Sequence, residues 1–343
     1  MKALVHTAPF KFEFRDVPQP NPADDEILVR VKAVGICGSD LHGYTGSSGR
    51  RIPPIIMGHE ASGVVEALGA QAKNVAVGDR ITFDSTVYCN QCSWCRQGKV
   101  NLCQNRKVLG VSIPAFRRDG CMAEYVVMPW WITYKLPDAV TFEEAALVEP
   151  AGVSMHAVRI TPIDLNDAVA VVGAGPIGMF AIQAAKVKGA GKVIALDVRE
   201  ERLAFARKLG ADITINPSAG DVVTELKRTL GRPDVDVVME AVGTPPAADL
   251  AFQIVRRGGN LTLIGNVTPQ ITVNPPDIIM RELTIRGSFA IGGEYRAVLD
   301  LMAQGRIQTK PLISQSRPLS EGQSAFDILH KGDPSLFKIV LHP

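Results

Sequence analysis

The pattern of hydrophobic and polar residues changes near residue 150. Before that point, apolar residues form short runs that are separated by Gly, Pro, Asn and Asp. Short runs with frequent turn residues are typical of strands in a β-barrel or β-sandwich. The strands predicted most clearly span residues 26–34, 62–68 and 80–87. We therefore expect the first part of the chain to form a β-rich domain.

After residue 150, continuous apolar runs alternate with segments of helical periodicity. Predicted strands are residues 168–173, 192–197, 235–239, 260–265 and 283–289, and predicted helices are residues 176–188, 200–209, 221–230 and 246–256. Apolar strands joined by helices indicate βαβ units, in which helices cover both faces of a parallel sheet. The C-terminal segment does not continue this alternation, so we expect it to return to the first domain.

Composition narrows the class of protein. A chain of 343 residues is long enough for two domains. The net charge of +2 gives no electrostatic reason to expect a nucleic acid or a membrane as a partner. The most apolar stretch, residues 168–185, is interrupted by three glycines and a proline, and the N-terminus lacks the apolar core of a signal peptide. These features favour a cytoplasmic enzyme.

A glycine-rich motif lies at the start of the second pattern. Gly173, Gly175 and Gly178 fit the spacing G-x-G-x-x-G, directly after a predicted strand and at the start of a predicted helix. The first glycine permits a tight turn, the second lets the backbone approach a pyrophosphate, and the third lets helix and strand pack closely. The helix N-terminus offers free N–H groups to the phosphates. The motif therefore predicts a dinucleotide-binding site.

Asp197 closes the next predicted strand, nineteen residues after Gly178. A carboxylate at this place accepts hydrogen bonds from ribose hydroxyls and repels a 2′-phosphate, which favours NAD over NADP. Arg199 and Arg202 follow closely and could accept that phosphate instead. The alternative is that Asp197 only caps a turn.

Four of the six cysteines are clustered within fifteen residues, at Cys89, Cys92, Cys95 and Cys103. In a long chain without a signal peptide, close clustering favours metal binding over disulfides. Four thiolates at this spacing can enclose one tetrahedral Zn²⁺ with no open position, which is typical of a structural site. An iron–sulfur cluster or free thiols are the alternatives.

A second candidate metal site is spread over distant parts of the sequence. Cys37, His59, Glu60 and Glu149 are each weak signals, because a single cysteine is usually a small buried side chain and a His–Glu pair is common. Together they offer one thiolate, one imidazole and two carboxylates. Three protein ligands and one water is the usual arrangement of a catalytic zinc.

These motifs follow one another in an order and spacing that resemble the zinc-containing medium-chain alcohol dehydrogenase family. The resemblance rests on Cys37-Gly-Ser-Asp, Gly58-His59-Glu60, the four cysteines and the glycine-rich turn, and it extends over essentially the whole chain. Within the family the chain is most similar to the sorbitol (polyol) dehydrogenase branch, because Glu149 stands where other alcohol dehydrogenases carry a cysteine ligand.

The resemblance implies a fold and its domain limits. We expect an α/β protein with a GroES-like, β-rich catalytic domain and a Rossmann cofactor domain built on a doubly wound parallel sheet. The catalytic domain would comprise residues 1–151 and 293–343, with a structural-zinc lobe at about residues 86–106. The cofactor domain would comprise residues 152–292.

The resemblance also implies the composition of the catalytic site. Cys37, His59 and Glu60 would hold the catalytic zinc, and Glu149 would bind it directly or through the metal-bound water. Zinc would act as a Lewis acid on the alcohol oxygen, while hydride passes to the nicotinamide of NAD(H). Ser39 is placed like the relay hydroxyl of the family, and His42 could carry the proton onward, because histidine commonly serves as a proton carrier. The alternatives are a turn residue at Ser39 and an exposed loop histidine at His42.

Further residues would line the cofactor by the same resemblance, although most of them could equally be packing residues at strand ends. In addition to the three glycines and Asp197, they are Ile177, Arg202, Val242, Ile264, Gly265, Asn266, Ser288, Phe289 and Ala290.

The chain departs from the polyol branch at positions that would touch substrate hydroxyls. Gly43 stands where the branch usually has an aromatic residue, with Tyr44 following, and no arginine is present in the stretch 288–293. Sorbitol itself is therefore not the expected substrate, and a shorter, differently shaped or phosphorylated polyol is an alternative. Arg50 and Arg51 could meet an anionic group of the substrate, or they could lie in a solvated loop.

We therefore expect a zinc-dependent, NAD-linked dehydrogenase that oxidises a secondary alcohol of a polyol or sugar alcohol to a ketone. An L-threonine dehydrogenase or another zinc alcohol dehydrogenase would share the same metal ligands. A non-enzymatic NAD-binding protein would have no use for an open zinc site. The family resemblance also implies a homo-oligomer, either a tetramer or a dimer.

Overall fold

A computed structural model describes residues 1–333 and 335–343 of the chain. The chain divides into two compact units. The first unit comprises Met1–Glu149, Ile291–Gly305 and Thr309–Pro343, and the second comprises Pro150–Ala290 and Arg306–Gln308. No helix among the described residues has both the length and the apolar character needed to cross a membrane.

The first unit consists mainly of short strands. Its strands are β1 (Lys2–Ala8), β2 (Lys11–Asp16), β3 (Glu26–Gly35), β4 (Ile55–Ile56), β5 (Glu60–Leu68), β6 (Arg80–Phe83), β7 (Thr86–Val87), β8 (Lys107–Val108), β9 (Tyr125–Pro129), β10 (Thr133–Lys135), β17 (Ile313–Pro318) and β18 (Lys338–His342). Its helices are α1 (Gly38–Tyr44), α2 (Ser93–Arg96), α3 (Phe142–Ala146), α10 (Tyr295–Ala303) and α11 (Gly322–Lys331), and α4 (Val148–Ile160) begins at its boundary.

The main sheet of this unit has the order β10-β6-β5-β3-β18-β17, and β9 also pairs with β3. A smaller sheet has the order β2-β1-β4, and β7 pairs with β8. The C-terminal strand β18 is antiparallel to β3, so the end of the chain joins the sheet formed by its beginning. Alternate apolar side chains of these strands form one core, which includes Ile27, Val29, Ile81 and Phe83.

The prediction of one strand over residues 80–87 is wrong. The structure has two strands, β6 and β7, with Asp84 and Ser85 between them. One carboxylate oxygen of Asp84 accepts the backbone N–H of Thr86 at 2.8 Å. A hydrogen bond from a residue's side chain to the backbone two positions later forms a turn, and this turn interrupts the strand.

The second unit is a parallel sheet with helices. Its strands are β11 (Ala168–Val172), β12 (Lys192–Leu196), β13 (Ile213–Ile215), β14 (Val235–Glu240), β15 (Val255–Leu263) and β16 (Thr284–Gly287). Its helices are the rest of α4 and α5 (Pro176–Lys188), α6 (Glu200–Lys208), α7 (Val222–Leu230), α8 (Pro245–Ile254) and α9 (Pro275–Met280). The strand order β13-β12-β11-β14-β15-β16 is that of a Rossmann sheet, which confirms the predicted fold class.

The central strands β11, β12 and β14 are buried almost throughout, as expected for strands covered on both faces. Helix α5 has the predicted bounds and ends at Gly189, which has φ +105°. Helix α8 ends at Ile254, two residues earlier than predicted, because Val255 already pairs with Val235 in the sheet. The three-residue strand β13 was not predicted, since it is too short to show a periodicity.

Candidate metal and cofactor sites

Four sulfur atoms converge in the segment that follows β7. Cys92 precedes the short helix α2, Cys95 lies within it, and Cys89 and Cys103 flank it along the chain. The four Sγ atoms all lie within 4.8 Å of one another, and we call this group the four-cysteine centre. The Sγ of Cys92 is 3.5 Å from that of Cys95 and 3.9 Å from that of Cys103. Sulfurs at the corners of a tetrahedron around Zn²⁺ stand roughly 3.8 Å apart, since each Zn–S bond is about 2.3 Å.

The electrostatics of the four-cysteine centre also fit a bound cation. Hydrogen bonds from the backbone, chiefly at Cys95, lower the pKa of the Cys92 thiol to about 6. Burial raises the pKa of the Cys95 thiol to about 12. All six cysteines are free thiols, so the four sulfurs stand at close range without a covalent link. Four thiolates this close become stable together only when a cation balances their charge, which zinc does.

The second group of ligand atoms comes from two segments that the main sheet of the first unit brings together. Cys37 caps the N-terminus of α1, His59 directly precedes β5, and Glu60 is the first residue of that strand. Their ligand atoms lie within 4.8 Å of one another, and we call this group the mixed centre. The antiparallel register of β3 and β5 places Glu60 opposite Gly35, two residues before Cys37.

Buried charges surround the mixed centre. The Nζ atom of Lys338, on β18, lies 2.5 Å from both carboxylate oxygens of Glu60. Oδ1 of Asp40 is 3.4 Å from Nδ1 of His59 and accepts a hydrogen bond from Nε of Arg51 at 2.9 Å. Although burial opposes ionisation of Asp40, the charges of His59 and Arg51 hold the pKa of its carboxyl well below its usual range.

These residues fit a zinc ion. Thiolate, imidazole and carboxylate form the mixed donor set that catalytic zinc uses. Nδ1 of His59 is buried and faces Oδ1 of Asp40 at 3.4 Å, so Nε2 is the ring nitrogen left for an ion. Burial would lower the pKa of His59, but the negative charges of Asp40 and Cys37 raise it well above its ordinary value. The same negative charges that favour a proton on this ring would favour a metal ion at the site.

Glu149 lies in the first turn of α4 and is not part of the three-residue group. Its Oε1 accepts a hydrogen bond from the hydroxyl of Ser85 at 3.0 Å. Burial raises the pKa of its carboxyl, and the nearby His59 partly opposes this effect. The structure therefore places Glu149 beside the mixed centre, where Ser85 holds it.

The two predicted relay residues lie on α1, one helical turn apart. Ser39 is half-buried, and its hydroxyl oxygen accepts a hydrogen bond from Nη2 of Arg51 at 3.0 Å. His42 is exposed in the last turn of the helix, with Nδ1 3.5 Å from the hydroxyl of Ser47. Residues at positions i and i+3 share one face of a helix, so both side chains are on the same side of α1.

The glycine-rich turn of the second unit joins β11 to α5. Gly173 has φ +96°, and Gly175 caps the helix N-terminus. A Cβ atom at position 178 would lie 1.8 Å from the carbonyl oxygen of Gly173, so only glycine permits this close packing of helix and strand. A Cβ at position 175 would meet only the guanidinium end of Arg202, at 3.8 Å. The backbone is therefore open where a pyrophosphate would approach, and the turn fits a dinucleotide.

Asp197 follows β12 and is 8% exposed. Its Oδ2 accepts the backbone N–H of Ala174 at 2.8 Å, and its Oδ1 accepts that of Arg199 at 3.0 Å. Nη1 of Arg202 lies 3.7 Å from Oδ2. Asp197 thus caps the turn and also anchors the glycine-rich loop, while each oxygen keeps a lone pair for a further donor.

The remaining predicted cofactor residues lie at the ends of strands or on α5. The carbonyl of Ile177 accepts a hydrogen bond from Ser154, and the side chain of Val242 fills the space above Gly173. The backbone N–H groups of Ile264 and Gly265 both donate to the carbonyl of Glu240, just beyond β15. After β16, the hydroxyl of Ser288 is buried without a hydrogen-bond partner, and Phe289 is exposed.

No sequence motif predicts that Lys338 and Arg51 lie near the mixed centre. Lys338 is far from the other residues along the chain, and only the pairing of β18 with β3 brings it there. Arg51 is buried, whereas Arg50 is exposed, so the expectation of a solvated loop is wrong for Arg51. The one sequence feature that points to a buried Arg51 is the unusual Gly43, which leaves room for a long side chain.

Comparisons with known proteins show the family to which the chain belongs. Residues 176–304 match the family model of the zinc-binding dehydrogenases, and residues 23–138 match that of the alcohol dehydrogenase GroES-like domain. The chain is 35% identical to sorbitol dehydrogenase of Bacillus subtilis, over 100% of this chain and 97% of that protein. It is 35% identical to D-xylulose reductase A of Aspergillus niger, over 94% of this chain and 91% of that protein.

A solved structure extends the comparison to three dimensions. It is a putative zinc-binding dehydrogenase from Sinorhizobium meliloti bound to NADP, with 32% identity and a TM-score of 0.90. The alignment covers 100% of this chain and 99% of that one. The chain belongs to the zinc-binding dehydrogenase family, of the alcohol dehydrogenase type with a GroES-like domain. The predicted family, its polyol dehydrogenase branch and the assignment as an oxidoreductase are confirmed.

Proposed function

We propose that this protein is a zinc-dependent, NAD(H)-linked dehydrogenase that converts a secondary alcohol of a polyol or sugar alcohol to a ketone. The convergence of Cys37, His59 and Glu60 on one point carries this proposal. The similarity to a sorbitol dehydrogenase and a D-xylulose reductase supports the substrate class. In this proposal the first unit carries the catalytic machinery and the second unit binds the cofactor.

Cys37, His59 and Glu60 would hold the catalytic zinc, and Glu149 would act beside it. The four-cysteine centre would hold the structural zinc. When bound, zinc supplies Lewis acidity toward an alcohol oxygen, and the nicotinamide supplies a hydride acceptor. The chain must then remove the hydroxyl proton. Ser39 would accept this proton, and the exposed His42, one turn later on α1, would pass it to solvent.

For the cofactor we propose NAD rather than NADP, bound at the glycine-rich turn with its adenosine ribose at Asp197. The carboxylate of Asp197 is held by two backbone N–H groups, so it stays in place where a 2′-phosphate would be repelled. The neighbouring Arg202 would approach the phosphates. This preference needs a direct test, because a relative with the same fold is bound to NADP.

Asp197→Ala tests the cofactor proposal. Removing the carboxylate should raise the KM for NAD and relax the ratio of kcat/KM between NAD and NADP by about tenfold, as measured with one alcohol at saturation. Asp212→Ala, directly before β13, is the matched control, because the carboxylate of Asp212 also accepts a backbone N–H, that of Val193. An unchanged NADP ratio in Asp197→Ala would contradict the assigned role.

We also propose a cytoplasmic homo-oligomer, a dimer or a tetramer. Strand β16 is at the edge of the parallel sheet, and the neighbouring Ile279 and Met280 are 72% and 68% exposed. An unpaired edge beside exposed apolar residues favours pairing with a second copy. Light scattering of the purified protein measures the subunit number, and a monomer at micromolar concentration would contradict this proposal.

A substrate panel tests the function. Polyols, sugar alcohols, primary alcohols and L-threonine are each offered with NAD, and NADH formation is followed by absorbance. We expect the highest kcat/KM with a polyol and about two zinc ions per chain by metal analysis. A preference for L-threonine would make the protein a threonine dehydrogenase. One zinc per chain without turnover would indicate a structural role only.

A further inference from the structure

The guanidinium of Arg51 donates hydrogen bonds to two side chains of helix α1, those of Asp40 and Ser39. Its Nε donates to Oδ1 of Asp40 at 2.9 Å, and its Nη2 donates to the hydroxyl oxygen of Ser39 at 3.0 Å. Its side chain is 6% exposed, and that of Asp40 is 0% exposed. A guanidinium presents several donors in a fixed plane, so it can hold two acceptors at once in a defined geometry.

The bare Cα of Gly43 makes room for this arginine. A Cβ atom at position 43 would lie 2.3 Å from Cδ and 2.8 Å from Cβ of Arg51. The next residue, Tyr44, does not fill this space, because it is buried among aromatic side chains and its hydroxyl donates to Asp327 at 2.5 Å. The stem of Arg51 thus occupies the volume that any side chain at position 43 would take.

The charge of Arg51 is already balanced within the protein. The buried Asp40 carboxylate pairs with it, and the remaining contact is to the Ser39 hydroxyl. An anionic substrate group could recruit this guanidinium only by displacing Asp40 and leaving a buried carboxylate unpaired. Such a loss is costly, so these contacts favour an internal role over substrate recognition.

The same carboxylate also faces the mixed centre. Oδ1 of Asp40 lies 3.4 Å from Nδ1 of His59. One guanidinium therefore connects the hydroxyl of Ser39 with the imidazole of His59, through a single intervening carboxylate. Partners of this kind fix the ring orientation of a metal-binding histidine and tune its affinity for the ion.

The contact with Arg51 also constrains the hydroxyl group of Ser39. By donating to the hydroxyl oxygen, Arg51 occupies one of its lone pairs and restricts the direction of the O–H bond. The other lone pair stays available for a substrate hydroxyl. The positive charge of Arg51 also favours release of the hydroxyl's own proton to the next acceptor as a substrate proton arrives, so the contact suits a relay.

We propose that Arg51 is a positioning residue. It orients both the relay hydroxyl of Ser39 and the imidazole of His59, and it can do so only because Gly43 leaves space for its side chain. This inference rests on the roles proposed above for Ser39 and His59. It assigns to Arg51 a part in proton transfer and in zinc affinity, with no contact to the substrate.

The first experiment measures zinc affinity. Purified zinc-loaded protein is titrated with a chelator, and the release of metal is followed for the wild type, Arg51→Gln and the matched control Arg50→Gln. The zinc of the mixed centre is identified as the release phase that is absent from the Cys37→Ser variant. We expect Arg51→Gln to weaken zinc binding there by roughly 10- to 100-fold and to leave the four-cysteine centre unchanged, while Arg50→Gln behaves like the wild type.

Arg51→Lys separates the two contacts. An ammonium can neutralise Asp40, but a single point charge cannot also hold the Ser39 hydroxyl in the same geometry. We expect this variant to recover most of the zinc affinity, while kcat stays at least about tenfold below the wild type and KM changes little. A merely structural arginine would lose affinity and kcat together. If Arg51→Gln does not fold, this variant still decides the question.

Gly43→Ala tests whether the space left by Gly43 is needed for the side chain of Arg51. Alanine favours helix formation over glycine, so the substitution alone would stabilise α1. We expect instead a loss of zinc affinity similar to that of Arg51→Gln, because the new methyl group displaces the arginine stem. The double variant Gly43→Ala/Arg51→Gln should then lose little more zinc affinity than either single variant, since both changes remove the same contact.

The outcomes separate this inference from the proposed function. If Arg51→Gln matches Arg50→Gln in zinc affinity and in kcat, the positioning role is wrong, whereas the dehydrogenase assignment stands. Additive losses in the double variant would overturn the role of Gly43. If the wild type holds no zinc that depends on Cys37, the proposed function itself fails.

Discussion

The two candidate metal centres of the first unit are built in opposite ways. The four-cysteine centre takes all its ligands from one short segment, and backbone N–H groups donate to its sulfurs. The mixed centre takes ligands from segments that are distant along the chain, and buried ionic partners surround it. A local set of identical ligands closes around an ion and stabilises a loop, whereas a mixed set held by the main sheet can keep a coordination position open. This difference supports the proposal that the four-cysteine centre stabilises the fold and that the mixed centre carries out the chemistry.

The sharpest test of this difference is Cys37→Ser. Loss of the thiolate should remove zinc from the mixed centre and lower kcat by roughly 10³-fold or more, since Lewis acidity contributes several kcal/mol to the reaction. NAD binding and the zinc of the four-cysteine centre should persist, as measured by fluorescence titration and metal analysis. Cys121→Ala, a buried cysteine outside both centres, is the control. Global unfolding of Cys37→Ser would count against the assignment.

Lys338→Met tests the ionic surroundings of the mixed centre. The side chain of Lys338 is 3% exposed, and its removal leaves the Glu60 carboxylate buried without its partner. We expect the metal-depleted protein to lose about 3–5 kcal/mol of stability. Bound zinc should reduce this loss, because the ion supplies a positive charge near the carboxylate.

The measurement is thermal unfolding of Lys338→Met with the mixed centre loaded and depleted. Lys338→Arg keeps the charge and is the matched control. Equal destabilisation with and without zinc would show that Glu60 and the ion do not interact.

Cys95→Ser tests the four-cysteine centre. Loss of one sulfur should release its zinc and destabilise the protein by at least about 2 kcal/mol, which corresponds to roughly 4–8 °C in Tm. The kcat of the molecules that remain folded should change little, because the proposed hydride transfer takes place at the mixed centre. Ser93→Ala, on the exposed side of the same short helix, is the control. An unchanged Tm would refute a structural role for the centre.

Glu149→Gln should have the smallest effect. Its carboxylate lies outside the three-residue group, and an amide oxygen can still accept the hydrogen bond from Ser85. We expect zinc to be retained and kcat/KM to fall by about tenfold, as for other partners of a metal site. A loss of zinc as complete as in Cys37→Ser would make Glu149 a direct ligand.

Some features of this protein could be predicted from the sequence because their cause is local. The spacing of the four cysteines predicts their convergence, since a short segment can bring them together with a few turns. The glycines of the nucleotide turn are also predicted, because the close approach of Gly178 to Gly173 involves neighbours in the chain. The parallel sheet follows from apolar strands that alternate with helices.

Other features depend on residues that meet only in the folded chain. Lys338 reaches Glu60 because β18 pairs with β3, and Arg51 reaches Asp40 because Gly43 leaves room for its stem. The resemblance implies that Glu149 binds the metal directly or through its water, and the hydrogen bond from Ser85 that holds its carboxylate is seen only in the folded chain. Local spacing fixes which atoms can meet within a turn or a helix. The pairing of buried charges over long sequence distances is decided by sheet register and by the volume available in the core, which only the tertiary structure sets.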